Sequence, residues 1–112
     1  MFGEGNFYLE IQDHGIAEQK KVNSGIYKLS QETGIPLVAA NDAHYVTRED
    51  AYIQDVLMCI QMNKMLDDPD RMRFETQEFY IKSYDEMAQL FPEHPEALEN
   101  TVKIAEQCNV DF

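Results

Sequence analysis

The chain has 112 residues, which is enough for one modest domain or for part of a larger protein. Its formal net charge of -12 argues against a direct nucleic-acid surface, because phosphates are bound by clustered Lys and Arg side chains. No segment resembles a signal peptide or a membrane span, so we expect a cytoplasmic location. Cys59 and Cys108 lie far apart within helical patterns, which predicts two buried free thiols and no disulfide.

The first forty residues predict a βαβ unit. Residues 7–12 alternate between apolar and polar side chains, as in a strand. A helix is predicted over residues 16–33, ending at Gly34, because the apolar positions Val22, Ile26 and Leu29 recur at helical spacing. A second strand is predicted over residues 37–40. The two strands of such a unit run parallel, so their carboxyl ends meet at one rim.

The tetrad Asn41-Asp42-Ala43-His44 follows the second strand directly, where catalytic and ligand-binding residues of α/β proteins concentrate. Asp42 and His44 are two residues apart, so an extended backbone would point both side chains to one side. Zinc and manganese both accept carboxylate oxygen and imidazole nitrogen. The alternative is a structural hydrogen bond that the Asp42 carboxylate accepts from a loop amide.

His14 is expected at the same rim, because it continues the polar face of the first strand. It is a candidate third ligand, or a hydrogen-bond donor that supports a ligand. The alternative is a loop histidine before a glycine turn. His94 lies at a predicted helix start, where capping explains it, and it receives no chemical role.

Three further helices are predicted downstream of the tetrad. Thr47 and Asp50 form a capping box for the first of them, whose predicted buried stripe is Ile53, Val56, Leu57 and Ile60. A turn over residues 66–70 and an extended segment over 79–81 follow, and the basic residues Arg71 and Arg73 are expected on the surface.

Ser83 and Glu86 form a second capping box, for a short helix ending at Leu90. Pro95 begins the last predicted helix, which extends to about Cys108. Its predicted apolar side consists of Leu98, Val102, Ala105 and Cys108. The chain contains no serine nucleophile elbow, P-loop or dinucleotide fingerprint, so the sequence predicts none of the sites that these motifs form.

Several motifs, in order and spacing, resemble one known family, the alpha subunit of bacterial DNA polymerase III (C-family replicative polymerases). The resemblance is to the latter part of its PHP (polymerase and histidinol phosphatase) domain. The matching segments are residues 7–15 (FYLEIQDHG), 39–46 (AANDAHYV), 66–69 (LDDP), 95–101 (PEALENT) and 104–110 (IAEQCNV).

For the fold, the resemblance implies an α/β fragment of a distorted (βα)7 PHP barrel with a helix-rich C-terminal portion. Residues 1–65 would be the last βα units of the barrel, and residues 66–112 a helical extension toward the polymerase palm. Asp42 and His44 match the last two metal-ligand positions, for zinc or manganese, and the other ligands lie upstream of this chain. His14 is not counted among the family's ligands.

For function, the resemblance implies part of a replicative DNA-directed DNA polymerase that contributes to the PHP metal site or scaffold and not to nucleotidyl transfer. The Mg²⁺ for polymerisation would bind elsewhere in the full-length protein, whose PHP site could also carry 3'-5' exonuclease activity. Implied partners of the whole protein are primer-template DNA, dNTPs, the sliding clamp and a proofreading exonuclease subunit. For the fragment we expect no activity, no direct nucleic-acid or membrane contact, and self-association through exposed strand edges.

Two other classes of protein remain open. A free-standing PHP phosphoesterase would share the Asp42/His44 motif, and is distinguished by its length. A structural docking module would need no metal at all.

Overall fold

Two short parallel strands and the helix that connects them form the centre of the computed structural model, which describes residues 1–112. The elements in chain order are β1 (Leu9–Ile11), α1 (Ala17–Thr33), β2 (Leu37–Ala39), a 3₁₀ turn (Arg48–Asp50), α2 (Ala51–Met62), α3 (Tyr84–Leu90) and α4 (Pro95–Gln107). No helix is both long enough and apolar enough to cross a bilayer. The mixed α/β architecture is confirmed, whereas the seven-unit barrel stays a prediction.

The predicted βαβ unit is confirmed by the pairing of its strands. β1 and β2 are parallel, with Leu9 opposite Leu37 and Ile11 opposite Ala39. Gly34 ends α1 in the left-handed conformation, at a φ of 73°, and its N–H donates to the Ser30 carbonyl. β1 is shorter than the predicted strand over residues 7–12, because β2 offers only three residues for pairing.

The core lies between this sheet and the last helix, with α3 and the segment after it alongside. Its buried apolar residues are Ile11, Leu37, Ala39, Phe91, Ala97 and Leu98. α4 packs on β2, and the buried Asn100 side chain donates a hydrogen bond of 2.7 Å to the Leu37 carbonyl. The core therefore draws on both predicted segments, 1–65 and 66–112, while the domain boundary between them stays a prediction.

Most apolar residues on the predicted faces of the long helices are exposed, and the buried stripe predicted for α2 is wrong for three of its four members. The exposed members are Val22 and Leu29 on α1, Ile53, Leu57 and Ile60 on α2, and Val102 and Ala105 on α4. A helical period shows which side chains share a face, but another layer must cover that face before they are buried. α2 contacts its preceding 3₁₀ turn and does not pack on the sheet.

Two individual burial predictions also need correction. Cys59 is buried as predicted, but Cys108 is exposed because it lies just beyond the end of α4. Arg71 was expected on the surface, yet its side chain is only 3% exposed. Its guanidinium forms an ion pair with Asp55 on α2 and donates to the Leu66 carbonyl at 3.0 Å. The hydrogen bond from Arg71 lowers the pKa of the Asp55 carboxyl group.

Both predicted capping boxes are confirmed. The Glu86 carboxylate accepts from the Ser83 N–H at 2.8 Å, and the Ser83 hydroxyl accepts from the Glu86 N–H at 3.3 Å. Asp50 accepts likewise from the Thr47 N–H at 2.9 Å. These reciprocal bonds satisfy backbone donors that a helix start leaves unpaired. The local sequence therefore determines where these helical segments begin.

Replacing Ser83 by Ala should lower the free energy of unfolding by about 1 kcal/mol, because the first turn of α3 loses its capping acceptor. Urea denaturation of the chain, followed by circular dichroism, measures this. Ser24→Ala on α1 is the control, since Ser24 is exposed and bonds only a carbonyl of its own helix. Equal losses in the two variants would contradict the capping role.

Candidate functional site

The loop that contains Asp42 and His44 begins where β2 ends. The Ala40 N–H still donates to the Ile11 carbonyl at 3.0 Å, and the chain then turns away from the sheet. Asp42 has a φ of 49°, in the left-handed region, which Asp adopts more readily than most residues. The expectation of an extended backbone is therefore wrong at Asp42. The turn brings its carbonyl oxygen within hydrogen-bond distance of the His44 ring.

The hydrogen bonds of His44 determine which of its ring nitrogens carries the proton. Nδ1 lies 2.7 Å from the Asp42 carbonyl oxygen. Because a carbonyl only accepts, Nδ1 must donate, and the lone pair of the neutral ring lies on Nε2. An imidazole held in this way, with one nitrogen bonded to a backbone carbonyl, is a typical metal ligand. The His44 N–H also donates to the Phe79 carbonyl at 2.7 Å, which fixes the residue in the loop.

The Asp42 carboxylate lies on the same exposed surface as His44. Its Oδ1 is 3.9 Å from His44 Nδ1, its side chain is 52% exposed, and it accepts no hydrogen bond from a loop amide. The structure therefore does not show the alternative, in which this carboxylate would accept a structural hydrogen bond from a loop amide. Its oxygens remain available to a cation or to solvent.

His14 reaches the predicted rim but lies behind the loop, fully buried. Its Nε2 is 2.5 Å from the Asn41 carbonyl oxygen, and its Nδ1 is 2.7 Å from the amide nitrogen of Gln19. The ring stacks on Phe79 with a centroid distance of 4.0 Å. Both nitrogens are engaged, so this geometry favours a supporting donor over a third ligand.

The Phe79 ring contacts both histidines, and together with Phe74 it forms one wall of the site. Phe79 is buried and forms an edge-to-face pair with His44 at a centroid distance of 5.9 Å, while the Phe74 ring centroid lies 4.8 Å from that of His44. Tyr45 and Tyr80 form a parallel bridge that holds residues 79–81 beside the loop. The sequence predicted the extended segment over residues 79–81 but not its position beside the Asp42/His44 loop. The aromatic residues were consequently missed as part of the site.

Asp42 and His44 fit two positions of a metal site by the chemistry of their donor atoms, an anionic oxygen and an unprotonated imidazole nitrogen. No group of three or more His, Cys, Asp or Glu side chains in the chain could hold a metal ion. A catalytic zinc normally has three protein ligands. The remaining ligands would have to come from outside these 112 residues.

Comparison with known proteins gives a consistent result, although no protein-family model matches the chain. It is 51% identical over 110 residues to the DNA polymerase III subunit alpha of Treponema pallidum, covering 98% of this chain. The identity is 55% over 112 residues for the protein of that name from Borreliella burgdorferi and 46% over 115 residues for that from Thermus aquaticus, both covering all of this chain. The chain spans only 9–10% of the length of these relatives. The predicted resemblance to DNA polymerase III subunit alpha is confirmed.

Proposed function

We propose that this chain, which matches DNA polymerase III subunit alpha over 98–100% of its residues, is a segment of a longer replicative polymerase. The whole protein would be a DNA-directed DNA polymerase of the bacterial cytoplasm. Nucleotidyl transfer and its Mg²⁺ would belong to parts of the protein outside this chain. Its partners would be primer-template DNA, dNTPs, the sliding clamp and a proofreading subunit.

Within that protein, we propose that Asp42 and His44 hold a zinc or manganese ion of a PHP site. The observation that supports this is that one loop carries two side chains able to bind a metal ion. The Asp42 carboxylate accepts no hydrogen bond from a loop amide, and the His44 Nδ1 is bonded to a carbonyl, which leaves Nε2 to bind the ion. Bound there, such an ion supplies activation of water and neutralisation of phosphate charge. The corresponding activity of the full-length protein is phosphodiester hydrolysis, as in a 3'-5' exonuclease.

A scaffold role is a second candidate, favoured by the exposed apolar side chains of α2. Ile53, Leu57 and Ile60 are all more than half exposed on one helix. In a longer polypeptide such a face is suited to packing against further structure. This role needs no metal, so measurements of metal binding distinguish it from the first proposal.

The size of the native polypeptide tests whether the chain is a segment. Peptide-directed mass spectrometry on a size-separated lysate should find these residues in a product roughly ten times the length of this chain, since the chain covers 9–10% of its relatives. A product of about one domain, two to three hundred residues, would contradict the polymerase and indicate a free-standing phosphoesterase.

Removing either proposed ligand from the full-length polypeptide should lower its bound metal. For Asp42→Ala and His44→Ala we expect a loss of affinity for Zn²⁺ or Mn²⁺ beyond the roughly 10–100-fold that follows changes beside metal ligands. PHP-dependent exonuclease activity should fall in parallel, while primer extension continues. Elemental analysis after dialysis and chelator competition measure the binding.

Matched variants control for the loss of charge and of imidazole. Asp67→Ala removes an exposed carboxylate, and His94→Ala removes a histidine that bonds Glu96 beside the start of α4. Both should bind metal as the unaltered protein does. Unchanged metal content in Asp42→Ala would contradict the ligand assignment and leave the scaffold role.

A further inference from the structure

Asn41, the residue before Asp42, is held at three of its polar atoms. Its carbonyl oxygen accepts from His14 Nε2 at 2.5 Å, and its side-chain oxygen accepts from Lys82 Nζ at 3.2 Å. Its side-chain nitrogen donates to the Tyr80 carbonyl at 2.5 Å. These three bonds connect the loop to residues far away in the sequence. Asn41 is therefore fixed both along the backbone and along its side chain.

Gln19 determines the tautomer of His14. Its side-chain oxygen accepts from the His14 N–H at 2.7 Å, so its amide nitrogen is the atom that faces His14 Nδ1. That nitrogen can only donate, which makes Nδ1 the acceptor and leaves the ring proton on Nε2. Nε2 then donates to the Asn41 carbonyl. The orientation of the Gln19 amide thus determines the direction of the two hydrogen bonds that connect α1 to the loop through His14.

Lys82 is buried on the other side of Asn41. Its side chain is only 3% exposed, and Nζ also donates to the Glu78 carbonyl and lies 3.6 Å from the Glu78 carboxylate. The ammonium group lies 4.1 Å from the centroid of the Tyr80 ring. Burial lowers the pKa of Lys82, and the Glu78 carboxylate opposes that change. A buried ammonium group is costly unless it is paired, so its position is strongly constrained.

We infer that His14 and Lys82 are positioning residues that hold Asn41 and thereby fix the Asp42/His44 loop for its ligand. We call these three residues, Asn41, His14 and Lys82, the Asn41 clamp. The inference rests on the proposed metal site. A ligand loop whose backbone is fixed before binding loses less conformational freedom when the ion binds. The clamp supplies that fixation through two buried donors from different parts of the chain.

Two substitutions at His14 separate the clamp from ordinary packing. His14→Gln places its amide nitrogen near the position of Nε2 and keeps a donor for the Asn41 carbonyl. His14→Asn reaches only the position of Nδ1 and loses that donor. In the full-length polypeptide we expect His14→Asn to lower Zn²⁺ affinity by roughly 10–100-fold and His14→Gln to stay within about threefold of the unaltered protein.

Chelator competition with Zn²⁺ alone, and with Mn²⁺ alone, gives the affinities, and thermal unfolding of the metal-free protein reports folding. Equal affinity losses in the two His14 variants, or no loss in His14→Asn, would overturn the clamp. If His14→Asn does not fold, Lys82→Met decides, because it keeps the apolar stem and removes the ammonium group that donates to Asn41, along with the contacts of that group to Glu78 and Tyr80. A loss of about tenfold supports the clamp, and unaltered affinity overturns it.

Asp42→Ala, measured in parallel, tells the two possible failures apart. If Asp42→Ala loses metal while His14→Asn keeps it, the clamp is wrong and the metal site stands. If Asp42→Ala keeps its metal, the proposed site is wrong and the clamp is overturned with it.

Discussion

Replacement of Phe79 by Ala is expected to lower the free energy of unfolding of the chain by about 3–5 kcal/mol. The ring is buried and contacts three other rings, stacking on His14 at 4.0 Å and lying 4.5 Å from Phe74 and 5.9 Å from His44. Its removal leaves a cavity between the two histidines. It also removes aromatic contacts, which contribute to stability beyond the burial of apolar surface area. The stability of the site and the stability of the fold are thus linked through one side chain.

Urea denaturation of the chain measures this effect, with Phe7→Ala as the matched control. Phe7 is 46% exposed and its ring contacts that of Phe2 near the N-terminus, so the control should lose no more than about 0.5 kcal/mol. A Phe79→Ala variant as stable as the control would show that the wall between the histidines is not packed in solution.

The features that the sequence predicted correctly depend on neighbours within a few residues. The capping box of Ser83 and Glu86, the left-handed Gly34 and the start of α4 at Pro95 each require only local backbone geometry. The βαβ unit also follows from short-range patterns, because a helix between two strands with short links restricts their pairing to parallel. The rim that brings His14 near the Asp42/His44 loop was predictable for the same reason.

The features that the sequence did not predict depend on contacts between elements that are distant in the sequence. Arg71 is buried because Asp55, sixteen residues earlier on α2, pairs with it, and no local pattern marks that partner. The site likewise depends on Gln19 and Phe79, which reach His14 from a helix and from an extended segment. The left-handed backbone of Asp42 was missed because a period of two assumes an extended chain.

Replacement of Leu98 by Ala is the second change for which we expect a large effect, about 2–5 kcal/mol in the free energy of unfolding. Leu98 is 3% exposed and belongs to the core cluster in which α4 packs on β2. Truncating it removes buried apolar contacts and leaves a cavity beside the sheet. Urea denaturation of the chain measures the loss, and the same experiment tests how α4 is rotated on the sheet.

Val102, one turn later on α4, is the matched control for that rotation. The sequence placed Leu98 and Val102 on one apolar side, whereas in the structure Val102 is 58% exposed and Asn100 is buried against Leu37. Val102→Ala should therefore cost no more than about 0.5 kcal/mol. A loss equal to that of Leu98→Ala would mean that α4 buries the side predicted from its period. In that case Asn100 would not donate to the Leu37 carbonyl. The strand that leads into Asn41 and Asp42 would lose this hydrogen bond to α4.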